Sequence, residues 1–173
     1  DLTLPDGTNI TRRYSEGKGR MIQASREKCD VTIGQSSLRY EGGNYVLHFQ
    51  HEEITFDARM KPTLPMWRPG TGHMRIGKYF FAWLVPVPSA ELEATLTVNG
   101  VTTKLTGNGY HDHNWGNINM YSLLNHWYWC RARLREYTVV SSDLITVRKY
   151  GYTRYPLFMI AKDGRVLSDL GKK

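Results

Sequence analysis

Helical periodicity, cysteine and long apolar runs are all scarce in this sequence. Apolar residues seldom recur at three- and four-residue spacing, which argues against a helical bundle or coiled coil. Two cysteines in 173 residues, Cys29 and Cys130, exclude a disulfide-dense scaffold. They leave open one bridge between them or a pair of buried thiols. No apolar stretch is long enough for a bilayer-spanning helix. The net charge is +7, yet zinc-finger spacing, a basic helix and nucleic-acid motifs are all missing. Lys and Arg are scattered among acidic residues. The charge reads as a solvated basic surface, with steering of an anionic ligand as its other use. The chain starts at Asp1 without an initiator Met, which a cleaved leader or a chain boundary set elsewhere would each explain. The sequon Asn9-Ile10-Thr11 is usable only in a secreted protein. The compartment stays open, secreted or cytoplasmic.

What is abundant is strand patterning and aromatic side chains. Apolar residues make up 40% of the chain, with five Trp and eleven Tyr, which marks a globular protein whose aromatics fill a core or line a pocket. Tyr45, Leu47 and Phe49 alternate with polar partners, and so do Leu92, Ala94, Leu96 and Val98. Asn99-Gly100 then leads into Val101–Leu105, a hairpin signal because both turn residues tolerate positive φ. Asp163-Gly164, between Leu157–Ile160 and Val166-Leu167, is a second signal of this kind, and Glu41–Asn44 a third turn. Pro62, Pro65 and Pro69 around Trp67 predict an irregular connection. Tyr79–Val85 is a continuous apolar run that predicts a strand buried on both faces and ended by Pro86 and Pro88; period alone leaves a short buried helix open. Together these spacings predict an all-β, antiparallel barrel or sandwich.

The densest chemistry lies in Gly109-Tyr110-His111-Asp112-His113-Asn114-Trp115-Gly116. In an extended strand Tyr110, Asp112 and Asn114 share one face, and His111, His113 and Trp115 the other. His-x-His on one face is a metal-ligand spacing, with His73, His126 and carboxylates as candidates to complete it, though no spacing selects them. The other chemical reading is metal-free. Asp112 is a general acid if burial raises its pKa, and His111 or His113 a proton shuttle near neutral pH. Tyr110 and Asn114 hydrogen-bond a carbonyl, while Trp115, Trp127 and Trp129 shield a cationic or polyene substrate. A purely structural use stands beside both: a special loop that needs Gly109 and Gly116 and is braced by Asp112.

Period two also divides Trp127 to Tyr137. Trp127, Trp129, Arg131, Arg133 and Arg135 fall on one side, which serves as a ligand-facing wall or as an outer face of stacked Arg and Trp. Tyr128, Cys130, Ala132 and Leu134 fall on the other, which reads as core packing.

The run Gly107–Gly116 resembles the signature of the AttH/CrtC-type lipocalin-like family. That family includes carotenoid 1,2-hydratases (hydroxyneurosporene synthases) and fungal Diels–Alderase-type cyclases. Glu27–Val31, Trp67–His73, Phe81-Ala82-Trp83, Pro86–Ser89 and His126–Trp129 fit the same pattern, so the likeness covers roughly residues 27 to 165. It implies a lipocalin-like (calycin-like) β fold within a two-domain β protein. Residues 1–125 would form the first domain, and 126–173 the start of a second or the closing strands of the first. It implies hydrophobic terpenoid or polyketide-derived substrates and no cofactor. The function it suggests is an enzyme of natural-product metabolism acting by cyclisation, isomerisation or hydration, with a non-catalytic lipocalin-type carrier as the alternative. Asp112, His111, His113, Tyr110 and Asn114 are the catalytic candidates. Trp115, Trp127, Trp129, Arg131 and Trp83 are the substrate-binding candidates, and no metal is expected. The family carries a further segment before the start of this chain and a longer second domain after it. The sequence therefore reads as a fragment, a shortened member, or a chain whose β fold a homodimer or a partner chain completes.

Overall fold

The computed structural model describes residues 2–4, 6–11 and 22–170. It is built from antiparallel strands. β1 (Leu2–Thr3) and β2 (Asn9–Ile10) form a short ribbon. β3 (Ile22–Ala24), β4 (Asp30–Ile33), β5 (Ser36–Glu41), β6 (Asn44–His51) and β7 (Ile54–Pro62) follow as a meander. β8 (His73–Ile76) pairs with the start of β9 (Tyr79–Val98), and β10 (Val101–Gly116) comes next. A 3-10 turn at Met120–Ser122 leads to β11 (Leu124–Leu134) and β12 (Tyr137–Thr146). A second such turn at Arg148–Tyr150 precedes β13 (Arg154–Lys162) and β14 (Arg165–Leu170). Hydrogen bonding orders the larger sheet β10-β9-β7-β6-β5-β4-β3, with β8 on β9, and a four-stranded sheet β11-β12-β13-β14. The all-β antiparallel reading is borne out.

Turn chemistry explains the register. Asn99 (φ 50°) and Gly100 (φ 81°) join β9 to β10, and Asp163 (φ 47°) and Gly164 (φ 78°) join β13 to β14. Both are two-residue turns with left-handed residues, whose twist matches that of the flanking strands. Pro65 and Pro69 lie in the irregular stretch 63–72, with a lone bridge from Trp67 to Val85, whereas Pro62 is the last residue of β7.

The chain divides into two compact units. One holds residues 1–59 and 93–105, where Tyr45, Ile54, Ala94 and Leu96 are buried. The other holds 60–92 and 106–173. Its core gathers Trp67, Phe81, Trp83 and Val85 with Val140, Leu144, Leu157 and Met159. In this second unit, side chains of β8 and β9 meet those of β12 and β13.

Three expectations are corrected. Pro86 and Pro88 do not end the apolar strand, because β9 continues through both to Val98. Trp67 and Val85 exchange backbone bonds of 2.9 and 2.8 Å, and Thr63 N donates to Ser89 O at 2.9 Å. That ladder uses the odd-numbered residues of β9, so a missing N–H at 86 or 88 costs it nothing. On β11 the side assigned to the core is the open one: Tyr128 is 66% and Leu134 68% exposed. β11 is an end strand of its sheet; its other side lines a cavity, although Trp127 and Trp129 stay 40% and 49% exposed. The two thiols are both free, with Cys130 exposed on that open side and Cys29 only half-buried, so neither a bridge nor a pair of buried thiols is formed.

Candidate active site

In the second unit, three strands converge on a cavity of about 80 Å³. β9 contributes Phe81 and Trp83, β10 contributes Asp112 and Asn114, and β11 contributes Trp127 and Trp129. Met120 closes one side from its 3-10 turn, and Ser142 and Leu144 of β12 complete the wall. The alternation read from the sequence holds on β10. The even-numbered residues Asp112 and Asn114 look into the cavity, and β11 directs its tryptophans toward it.

Asp112 is the polar centre. Its Oδ2 accepts the Tyr110 hydroxyl at 2.9 Å and the Trp83 indole N–H at 3.1 Å. Its Oδ1 takes no hydrogen bond from any described residue. One oxygen is therefore braced while the carboxyl group lines the cavity. Trp83 is 3% exposed and meets Trp67 edge-on at 5.4 Å. Trp67 in turn donates to Asp169 Oδ2 at 3.3 Å, so the brace runs through the core to β14.

Tyr110 is held on three sides. Trp129 packs edge-on at 5.5 Å, and the Arg131 guanidinium lies 5.3 Å from the phenol ring. Burial, followed by the charge of Asp112 and their hydrogen bond, pushes the Tyr110 hydroxyl far up, so it remains a donor. Arg131 Nη2 donates to Gly109 O at 3.1 Å, which ties β11 to β10, whereas its buried Nε has no partner. Burial lowers the Arg131 pKa, Tyr110 opposes that, and the neighbouring Arg133 charge adds to it. A guanidinium keeps its proton under such shifts.

The other face of β10 is arranged differently. His113 stacks on Trp115 at 5.3 Å, and His73 meets Trp115 edge-on at 5.6 Å. His111 is half-buried, and burial depresses its pKa below the ordinary imidazole value, with Asp112 opposing and His113 adding to the shift. Of the residues predicted from the sequence, Asp112, Asn114, Trp83, Trp127 and Trp129 surround the cavity. Tyr110 and Arg131 stand directly behind them, and His111, His113 and Trp115 lie on the opposite face. Among the described residues no group of three or more His, Cys, Asp or Glu is disposed to hold a metal ion.

Sequence reasoning missed Met120, Ser142 and Leu144 as lining residues, and Asp169 as the far end of the brace. Only Ser142 and Leu144 carried a signal, the period-two alternation of β12. Gly109 and Gly116 flank the motif for steric reasons. A Cβ at Gly109 would sit 2.8 Å from Met60 Cγ and Sδ, and one at Gly116 2.7 Å from Phe80 O. Both glycines let β10 approach its neighbours closely.

Fold and site define an all-β, lipocalin-like protein with an aromatic cavity built around one carboxyl group. Residues 48–171 match the family described as Diels-Alderase-like, and the chain belongs to that family. The quinolone epoxide rearrangement protein penF of Penicillium thymicola is 30% identical over 101 residues, 58% of this chain and 26% of that protein. The hydroxyneurosporene dehydrogenase of Chlorobaculum tepidum is 33% identical over 153 residues, covering 76% of this chain and 38% of the relative. The crystal structure of CghA shares the fold with a TM-score of 0.64 at 13% identity, over 86% of this chain and 45% of that one. The AttH/CrtC-type resemblance is thereby borne out. The chain spans less than half the length of these relatives. Among the described residues no helix is long and apolar enough to cross a membrane.

Proposed function

We propose that this chain carries the proton-transfer centre of a cofactor-free enzyme of natural-product metabolism, one that isomerises or cyclises a hydrophobic unsaturated substrate. The observation that carries the reading is Asp112, with Oδ2 braced by two donors, Oδ1 taking no hydrogen bond among the described residues, and the carboxyl group lining a cavity walled by Phe81, Trp127 and Trp129. A carboxylate held in this way takes a proton from one position of a bound substrate as electrons move through its π system. The carboxyl group so formed returns the proton at a second position. Substrate and product are then isomers, and the step needs no oxidant or reductant. The relative's name, quinolone epoxide rearrangement protein, names a rearrangement, in which substrate and product are isomers. Trp127 and Trp129 present π faces to any positive charge that develops. For a cyclisation, the walls act mainly by holding the substrate in a reactive fold. Asn114 is positioned to hydrogen-bond a substrate carbonyl from the same face. In this reading His111, His113 and Trp115 support the strand from its other side, and Tyr110 and Arg131 position Asp112.

The aromatic lining also favours a second reading, a carrier that binds a hydrophobic ligand unchanged. Both readings keep a small hydrophobic ligand. Both also keep the expectation of a second copy or partner chain that completes the β fold, because β10 and β11 are end strands of their sheets.

The test is to incubate the chain with a panel of polyenes and quinolone epoxides. New isomers are followed by chromatography with mass detection, and binding by tryptophan quenching. Asp112→Asn is expected to lose turnover by about 100-fold or more while binding within about threefold of wild type. Tight binding with no isomer formed from any bound ligand establishes the carrier. An Asn variant that turns over like wild type overturns the role of Asp112.

A further inference from the structure

A second concavity of about 170 Å³ lies in the same unit, toward the opposite end of β11. Ser89 and Thr138 form its floor, at 1% and 6% exposure. Its rim is made by two hairpin turns, Arg135-Glu136 between β11 and β12 and Asp163-Gly164 between β13 and β14. Asp163 N donates to Glu136 O at 3.2 Å, joining the turns. Lys162 is already engaged, 3.7 Å from Glu136 Oε1 and 5.2 Å over the Tyr137 ring. Arg133 and Arg135 also line the concavity, and neither makes a hydrogen bond or ion pair among the described residues. One of the two carboxylates at the rim is therefore committed to Lys162, while two guanidiniums are left with only exposed Asp163 to balance them.

Two further observations bear on these guanidiniums. Arg135 has φ 53°, a left-handed conformation that favours glycine or asparagine over arginine, so something other than turn geometry accounts for the side chain there. Arg133 also acts on the half-buried Arg131 as an unfavourable like charge. A bound anion would relieve that repulsion. Arginine's planar fork matches the paired oxygens of carboxylate and phosphate, and the two hydroxyl side chains beneath add donors.

We propose that this concavity is an oxyanion site that takes a carboxylate or phosphate group on Arg133 and Arg135, above Ser89 and Thr138. The proposal is independent of the role given to Asp112. The oxyanion comes either as a free ion or as the acidic end of a larger apolar molecule. Arg133 is four residues from Trp129 on the same side of β11, about 13 Å along an extended strand. A molecule of moderate length spans that distance.

The experiment titrates the chain with inorganic phosphate and with 8-phenyloctanoate at ionic strength held constant by chloride. Binding is read by calorimetry and by the indole N–H resonance of Trp129. The variants are Arg135→Gly, which relaxes the left-handed turn and preserves folding, and the double variant Arg133→Gln/Arg135→Gly. Saturable binding of at least one probe is expected, weakened at least tenfold in the double variant, with its thermal midpoint showing that it is folded. Phosphate binding without a Trp129 shift identifies a free-ion site. Tighter phenyloctanoate binding with a Trp129 shift identifies the acidic end of a larger molecule. Failure of both probes to saturate, or equal binding by wild type and the double variant, overturns the proposal.

Discussion

On one face of β10, Tyr110 and Asp112 are tied to each other, to Trp83 and to Trp129, and the carboxyl group looks into a cavity. On the other face, His113 stacks on Trp115 and His73 leans on the same indole. Both faces belong to one six-residue run, and either set of side chains would serve proton transfer in isolation. Their surroundings separate them. The carboxyl face meets a second wall, formed by β11 and β12, which gives it a bounded volume and aromatic neighbours. The difference teaches that position against a second layer, more than the intrinsic chemistry of the group, separates the two faces, and the proposed function assigns the chemistry to the walled one.

The largest effect that would break or sharpen this comparison comes from its two titratable centres. Asp112→Asn should lower turnover by about 100-fold or more, whereas His113→Asn should stay within about threefold in both kcat and KM. The reverse pattern in steady-state kinetics would transfer the chemistry to the other face.

Next in size are the flanking glycines, which set how closely β10 approaches its neighbours. Gly116→Ala drives a Cβ against the fixed Phe80 carbonyl, and overpacking of that kind costs about 2–3 kcal/mol. Gly109→Ala meets the flexible Met60 side chain, which can rotate away, and should cost about 1 kcal/mol. Urea unfolding of both variants checks the order.

Trp83→Phe comes third. It keeps a ring in the core and removes the indole N–H from Asp112 Oδ2. A hydrogen bond to a charged group contributes about 1.5–3 kcal/mol, so a loss of roughly tenfold or more in kcat with little change in KM is expected. Loss of folding stability without any change in kcat would make Trp83 a packing residue only.

The smallest effect concerns pH. The folded His111 pKa lies below its unfolded value, mainly because of burial. Above the unfolded value of about 6.5 the imidazole is neutral in both states and its contribution to stability is fully present. As pH falls below that value the unfolded state takes up the proton more readily, and stability is lost until the folded pKa is passed. His111→Gln should flatten the fall in unfolding free energy between about pH 7 and pH 5.

Much of the fold was legible because its signals are local. Asn99-Gly100 and Asp163-Gly164 demand left-handed backbone, and period-two alternation marks β10, so hairpins and the division of the motif into two faces follow from short-range stereochemistry. What could not be read depends on partners distant in sequence. Pro86 and Pro88 read as strand breakers, but the ladder with Thr63 and Trp67 runs through other positions of β9. Tyr128 and Leu134 read as core because they are apolar, yet sheet order makes β11 an end strand with that side open. The same limit applied to the site. Asp112, Asn114, Trp127 and Trp129 stood out as candidates, but only tertiary packing decides which face of β10 meets the second wall. Met120 and Asp169, each alone in its local stretch, left no pattern to find.

The indole N–H resonances of the five tryptophans provide the most direct test of that choice of face. In a titration with a hydrophobic ligand that the chain binds, Trp127, Trp129 and Trp83 should shift together while Trp115 stays in place. A shift of Trp115 with Trp127 and Trp129 unmoved would put the ligand on the histidine face and contradict the account.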